Sequence, residues 1–576
     1  MKQMDILFRS HTPLLSHPYT NFNSRTKLRK HRPTIVVSIS RINKSRVIRK
    51  QEQNPDPKTP SSDIPLLEKI FNILDRAITE FLDPPAHILS HNWAPVDELT
   101  PTECKLMHGS IPSSLNGVYL RNGSNPQFCP KGPHHYFDGD GMVHCIKISH
   151  GRATFCSRYV KTNKFLFEKQ VRSCVVPNVI GGMQGLGSFI ARASLFGARV
   201  AFGGYDISKG IGVANTSLAL LGGKLCALCE SDIPYAIKIK DDGDVITLGQ
   251  HDFNGNLSMN MTAHPKIDPE TKEAFAFRYW ATRPYLTYFR FDADGNKQPD
   301  VPIFSMNHSS LTHDLAITQK YAIICDIQIR VCPLNLIRGE RLVGVDQKKV
   351  PRIGVLPRYA TDESDMKWFE VPGFNTFHAV NAWDETDEDG GEVVVLVAPN
   401  ILSVEHIFER VDQIHGSMEK VRIHLGTGVV SRHVMSTKNL EFPVINPAYI
   451  GKKNKYVYAA ISEERPPRMM RASGVVKLDI TASEEKECTM ASMMYENECF
   501  GGEPFFVARD PEDPNSEEDD GYVVSYVHDE SSGESRFLVM DARSPTLEVV
   551  AVVKLPQRVP YGLHGIFIRE NDMYNM

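Results

Sequence analysis

No uninterrupted apolar run of about 18–20 residues occurs in this 576-residue chain, so no single helix can cross a bilayer. Compact metalloprotease and facial-triad patterns are missing too: there is no His-Glu-x-x-His and no His-x-Asp pair. No Gly-x-Ser-x-Gly elbow occurs, which removes the common serine hydrolase arrangement. Cysteine is thin: eleven residues, an odd number with no secretory signal, which argues for reduced thiols. Acids are almost absent from residues 1–50, where Asp5 alone stands against twelve Lys or Arg. The rest of the chain is therefore strongly acidic, which excludes nucleic acid as a partner of the main body.

What remains is organised in two textures. Residues 1–50 are basic, hydroxylated and acid-poor, the composition of an organelle transit peptide. Composition alone does not separate plastid from mitochondrion. Residues 51–62, rich in Gln, Asn, Asp, Lys and Pro, read as a linker. Across 63–84, Ile64, Leu67, Ile70, Ile73, Leu74, Ile78, Phe81 and Leu82 recur at helical spacing. Asp83-Pro84-Pro85 ends the pattern. Such a helix can pack on a core or lie in a membrane surface.

From about residue 115 short alternating or apolar runs alternate with turns such as Asp242-Gly243, Asn254-Gly255 and Asp389-Gly390. Near the C terminus, 504–508, 521–527, 535–540 and 547–555 read as four successive strands, close to one propeller blade. An all-β propeller over 85–576 is the best single architecture, and a set of β-sandwiches is second. Residues 180–204 break the texture and predict a helical insertion. Exposed, they would form an apolar patch needing a partner or membrane.

Several motifs carry less than their form suggests. Cys226 and Cys229 form one Cys-x-x-Cys in a predicted strand, where residues three apart face opposite ways; buried structural thiols are expected. Asp292-Ala-Asp-Gly-Asn-Lys297 resembles a calcium loop, but lacks its twelfth-position glutamate, and a hairpin turn is expected. The glycine-rich 181–187 lacks the strand–loop–helix frame of a phosphate loop. The acidic run 517–520 reads as a solvated loop.

Among 21 histidines, four lie in short apolar settings: His264, His313, His378 and His564. Their spacings of 49, 65 and 186 residues do not signal a site by themselves. Inner strands of a propeller all approach one axis, so widely spaced residues on them can converge. Four imidazoles together would make a neutral site suited to a redox-active ferrous ion.

Long segments then give a resemblance. Asn116–Pro126, Tyr136–His144, Glu230–Tyr235, Met261–Lys266, His313–Thr318, Phe377–Glu385, Gly501–Phe505 and Tyr561–Gly565 resemble, in order, those of the carotenoid cleavage oxygenases. Within that family the chain is most similar to the plant carotenoid cleavage dioxygenase 4 group, from about Leu82 to the C terminus. The resemblance implies a seven-bladed propeller with a helical and loop cap over one face. It implies one Fe(2+) per chain on His264, His313, His378 and His564. Glu230, Glu441 and Glu503 would orient those imidazoles from behind. It implies oxidative cleavage by O2 of a conjugated double bond in a carotenoid or apocarotenoid, yielding two carbonyl products. The 9,10 or 9′,10′ bond is the first expectation, 7,8 or 7′,8′ the second. Alternatives are a same-fold iron enzyme acting on an epoxycarotenoid or another alkene such as a stilbene, and a non-catalytic carotenoid-binding propeller. The implied location is the plastid, at a membrane or plastoglobule lipid surface. The segment 64–82 and the 180–204 insertion are the membrane-dipping candidates. The segment 307–312, before His313, and 462–471 depart from the group's pattern, so substrate and bond carry over less safely than the metal site.

Overall fold

The computed structural model describes residues 65–82, 89–130, 134–178, 186–332, 335, 342–407, 413–462, 471–482 and 486–573. The transit segment 1–50 and linker 51–62 lie outside these residues. All described residues belong to one unit, Asp63–Met576.

Seven antiparallel sheets form the blades of a β-propeller. Four blades are simple meanders. One of them runs Lys266–Ile267, Ala274–Tyr279, Leu286–Phe291 and Val301–Ile303. Another runs Asn381–Thr386, Glu392–Ile401, Gly416–His424 and Val430–Ser436. A fifth has the same four-stranded form with a two-stranded excursion, Ile329–Val331 with Val343–Val345, between its second and third strands. Inner strands packed between neighbouring blades bury both faces and read as near-continuous apolar runs. Glu392–Ile401 is the extreme case, with Val393 through Ala398 all buried.

The last two blades close the ring by mixing chain ends. Gly117–Arg121 pairs with the final strand Gly565–Arg569, so that Arg121 faces Gly565. Lys105–Gly109 adds to Val549–Lys554. The C-terminal group expected as one blade is indeed one blade: Phe505–Ala508, Gly521–Asp529, Glu534–Asp541 and Val549–Lys554. It gains Lys105–Gly109 from the far end of the sequence, a pairing that local periodicity does not encode.

Among the described residues, three α-helices exceed two turns: α1 (Leu66–Phe81), α2 (Asn163–Val171) and α3 (Leu186–Ala201). The first and third fall on the two predicted helical segments; α2, capped by Thr162 Oγ1 at the Phe165 amide, was not anticipated. Helix α1 packs in an unexpected sense. Its buried residues are Glu68, Phe71 and Asp75, while Leu66, Ile73 and Phe81 are 75, 66 and 81% exposed. Its partner is α3. Arg199 Nε bonds Glu68 Oε2 at 3.1 Å, Arg192 Nη1 meets Asp75 Oδ1 at 3.2 Å, and the Arg199 guanidinium stacks over Phe71. The two helices thus join through charge and leave an apolar groove of about 600 Å³ between Phe71, Phe81, Leu82 and Leu195.

Two smaller expectations are corrected. The strand carrying Cys226 ends at Leu228, so Cys229 lies beyond it and is only half-buried beside Ser231. The acidic run is not a free loop. Glu518 accepts the Lys455 and Tyr456 amides, Asp519 pairs with Lys477, and Asp520 with Arg509. Asp292 does form the hairpin turn, accepting the Asn296 amide at 2.8 Å.

Candidate metal centre and its cavity

Each candidate histidine stands just before a strand. His264 precedes Lys266–Ile267, His313 precedes Leu315–Ile317, His378 precedes Asn381–Thr386, and His564 precedes Gly565–Arg569. Four blades therefore deliver one imidazole each to a common point. One nitrogen from each ring lies within 4.8 Å of all the others. His264 Nε2 and His313 Nε2 are 3.0 Å apart, and the His378–His564 ring centroids 4.9 Å.

The far sides of three rings meet carboxylates. His378 Nδ1 bonds Glu441 Oε2 and His564 Nδ1 bonds Glu503 Oε1, both at 2.7 Å. His313 Nδ1 lies in close ion-pair contact with Glu230 Oε1. A carboxylate accepts, so these nitrogens carry the protons and the three Nε2 lone pairs face inward. Lone pairs so close repel unless a cation lies among them. His378 Nε2 is buried and has no hydrogen-bond partner. The residues therefore fit a divalent metal ion, and a neutral N4 donor set balanced by outer carboxylates suits a first-row transition metal.

Electrostatics favour the unprotonated state at His264 and His564. Burial and the neighbouring imidazoles hold His264 well below its ordinary value, which keeps its lone pair available. Burial likewise lowers His564. Burial also works against protonated His378, but the charge and hydrogen bond of Glu441 outweigh it and raise the ring. Burial disfavours charged Glu441, yet His378 and the Phe442 amide draw its carboxyl below the usual range.

Each glutamate is held by a second partner. Glu441 Oε2 accepts the Phe442 amide, and Glu503 Oε2 accepts the Gly565 amide at 2.8 Å. Glu230 Oε2 accepts the Tyr279 hydroxyl at 2.5 Å, and its backbone carbonyl accepts Asn260 Nδ2 at 2.7 Å. Phe442, at φ +51°, turns its ring against His378 and His564, each with centroids 5.6 Å away. Phe377 covers His313 at 5.4 Å.

His313, His378 and His564 open on a cavity of about 950 Å³, at the upper end of small-molecule sites. Its walls include Trp93, Leu311, Phe377, Ile401, Phe442 and Leu563. The family model described as retinal pigment epithelial membrane protein matches residues 93–569. This chain belongs to the carotenoid cleavage oxygenase family. It is an enzyme of the dioxygenase class.

Over 519 residues the chain is 56% identical to a probable carotenoid cleavage dioxygenase 4, chloroplastic, of Arabidopsis thaliana, covering 88% of this chain and 86% of the relative. It is 51% identical to a chloroplastic 9-cis-epoxycarotenoid dioxygenase of Oryza sativa subsp. japonica, over 87% of this chain and 80% of the relative. These relatives mark a plastid protein. The fold matches that of the lignostilbene dioxygenase of Pseudomonas brassicacearum with a TM-score of 0.70 at 23% identity, over 84% of this chain and 98% of that one.

All four histidines and three glutamates singled out from the sequence come together here. His308, five residues before His313, is exposed and takes no part in the cluster. Sequence reasoning did not find Tyr279 or Asn260. Neither lies in a ligand motif, and their approach to Glu230 depends on how neighbouring blades pack.

Proposed function

We propose that this carotenoid cleavage oxygenase binds one ferrous ion per chain on His264, His313, His378 and His564. Glu230, Glu441 and Glu503 hold the rings in the productive tautomer. The observation that carries this reading is the convergence of four ring nitrogens within 4.8 Å, three of the rings backed by carboxylates. The ion, when bound, supplies activation of O2 for insertion of both oxygen atoms at one conjugated double bond, giving two carbonyl products.

The protein's part is placement. The cavity walls bind an extended apolar polyene and leave one double bond beside the imidazoles. Phe377 and Phe442 exclude water from the ring edges, which strengthens the carboxylate–imidazole bonds behind them. No side chain needs to act as nucleophile or general acid. A carotenoid or apocarotenoid is the substrate class, with cleavage at 9,10 or 9′,10′ first and at 7,8 or 7′,8′ second. The relative named as an epoxycarotenoid dioxygenase, 51% identical over 87% of this chain, favours an epoxycarotenoid as the alternative substrate.

Residues 1–50 serve as the plastid transit peptide. The exposed apolar faces of α1 and α3 rest on a plastid membrane or plastoglobule surface, where so insoluble a substrate resides. Expression of the chain in carotenoid-accumulating bacteria, with mass analysis of the products, tests activity, substrate and bond together. Carotenoid bound tightly with no carbonyl product, in protein loaded with Fe(2+) and supplied with O2, would leave a binding propeller instead.

A further inference from the structure

The three carboxylate–imidazole pairs are not equivalent. Glu441 lies within the strand Leu440–Val444, and the oxygen that meets His378 also accepts the amide of the next residue. Glu503 is fixed by the amide of Gly565, on the closing strand. A backbone amide in a blade has little freedom. Glu230 has no such support. It lies past the end of Lys224–Leu228, in the loop leading to Tyr235–Ile239. Its second oxygen is held by a side chain, Tyr279, at the end of Ala274–Tyr279 in the next blade. The histidine it orients, His313, belongs to the blade after that. One phenol therefore bridges a loop of one blade to a ligand loop two blades away.

We propose that Tyr279 is a positioning residue of the metal centre, acting through Glu230 to fix the direction of His313. The proposal rests on the four-histidine reading above. The geometry gives it three supports. The contact of 2.5 Å is at the short end for a phenol donating to a carboxylate, as charge-assisted bonds are. Tyr279 is a neutral donor throughout the working pH range, because burial and the Glu230 charge raise its hydroxyl well above the ordinary tyrosine value. The ring also lines the cavity, so a phenylalanine there would keep the wall and delete only the hydrogen bond. Without the hydroxyl, Glu230 keeps only His313 and the Asn260 hold on its backbone, and its carboxylate is free to rotate.

The test is Tyr279→Phe in the full chain, loaded with Fe(2+). Release of iron into excess chelator should be about tenfold faster than in the wild type, within the range for residues behind metal ligands. KM should stay unchanged, since the cavity wall is preserved, while kcat falls. In protein loaded with Co(2+), the visible ligand-field bands should shift, a signature that a purely structural role for Tyr279 would not produce. Wild-type release rate together with unshifted cobalt bands overturns the proposal. A His313→Ala control separates the two levels. If that variant holds iron as the wild type does, the four-histidine reading fails. If it loses iron while Tyr279→Phe behaves as wild type, only the role of Tyr279 fails.

Discussion

Asp314 and Lys266 form a salt bridge of 2.9 Å, and the same Asp314 carboxylate accepts the Ala379 amide, also at 2.9 Å. Lys266 lies two residues after His264, Asp314 directly after His313, and Ala379 directly after His378. One buried carboxylate thus ties together the chain beside three of the four imidazoles. Asp314→Asn keeps the shape but removes the charge that holds Lys266. The variant is expected to lose iron about tenfold more readily during dialysis, with secondary structure by circular dichroism unchanged.

The ligand set itself makes a sharper expectation. His378→Ala should carry no iron and show no turnover; normal turnover would remove it from the centre. Glu503→Gln leaves the ring bond but weakens it, and should cost about 10–100-fold in metal retention or activity. Metal analysis of the purified variants checks both.

The apolar face of α1 is expected to govern lipid contact. Replacing Ile73 and Phe81 by Asp should lower sedimentation with liposomes about tenfold or more, given the transfer energy of two large side chains. Iron content should stay at the wild-type level, since neither side chain approaches the histidines.

Arg199 is buried between Glu68 and Asp75. Removing it strands the buried Glu68 carboxylate and leaves Asp75 to Arg192 alone, and breaking a buried pair ordinarily costs about 3–5 kcal/mol. Arg199→Ala is therefore expected to unseat α1 from α3 while the propeller stays folded. Limited proteolysis should cut within 66–82 in the variant and spare that segment in the wild type.

His528 gives a pH dependence away from the centre. Its ring bonds Ser535 Oγ at 2.9 Å, and burial with the nearby Arg558 charge lowers it from 6.5 to about 4. The folded protein keeps it neutral where the unfolded chain takes up a proton. Its contribution to stability is thus full above about pH 6.5 and is lost as pH falls toward 4. The urea midpoint of His528→Gln should fall less between pH 7 and 4.5 than that of the wild type.

Six of the seven site residues were legible because each sits inside a segment whose neighbours are also characteristic, as His564 does within Tyr561–Gly565 and Glu503 within Gly501–Phe505; Glu441 rests on the short Glu441-Phe442-Pro443 alone. The strand texture was legible because blades repeat an alternation that one sequence shows directly. Other features were not. Tyr279 reaches Glu230 through the packing of adjacent blades, which no local pattern records. The acids at 518–520 looked solvated because their partners, Lys455, Lys477 and Arg509, are fixed by sheet register. Helix α1 showed its amphipathic period, but period does not say which face is buried. Here the buried Arg199 and the half-buried Arg192 reverse the usual outcome.

The closing strand has a consequence in time. His564 is carried by the segment that leads into Gly565–Arg569, and that strand completes the ring against Gly117–Arg121. The fourth imidazole comes 186 residues after the third. A chain cut before His564 can thus present at most three of the four, on a ring still open. Circularisation of the fold and completion of the metal-binding set are one event, and it waits on this closing strand.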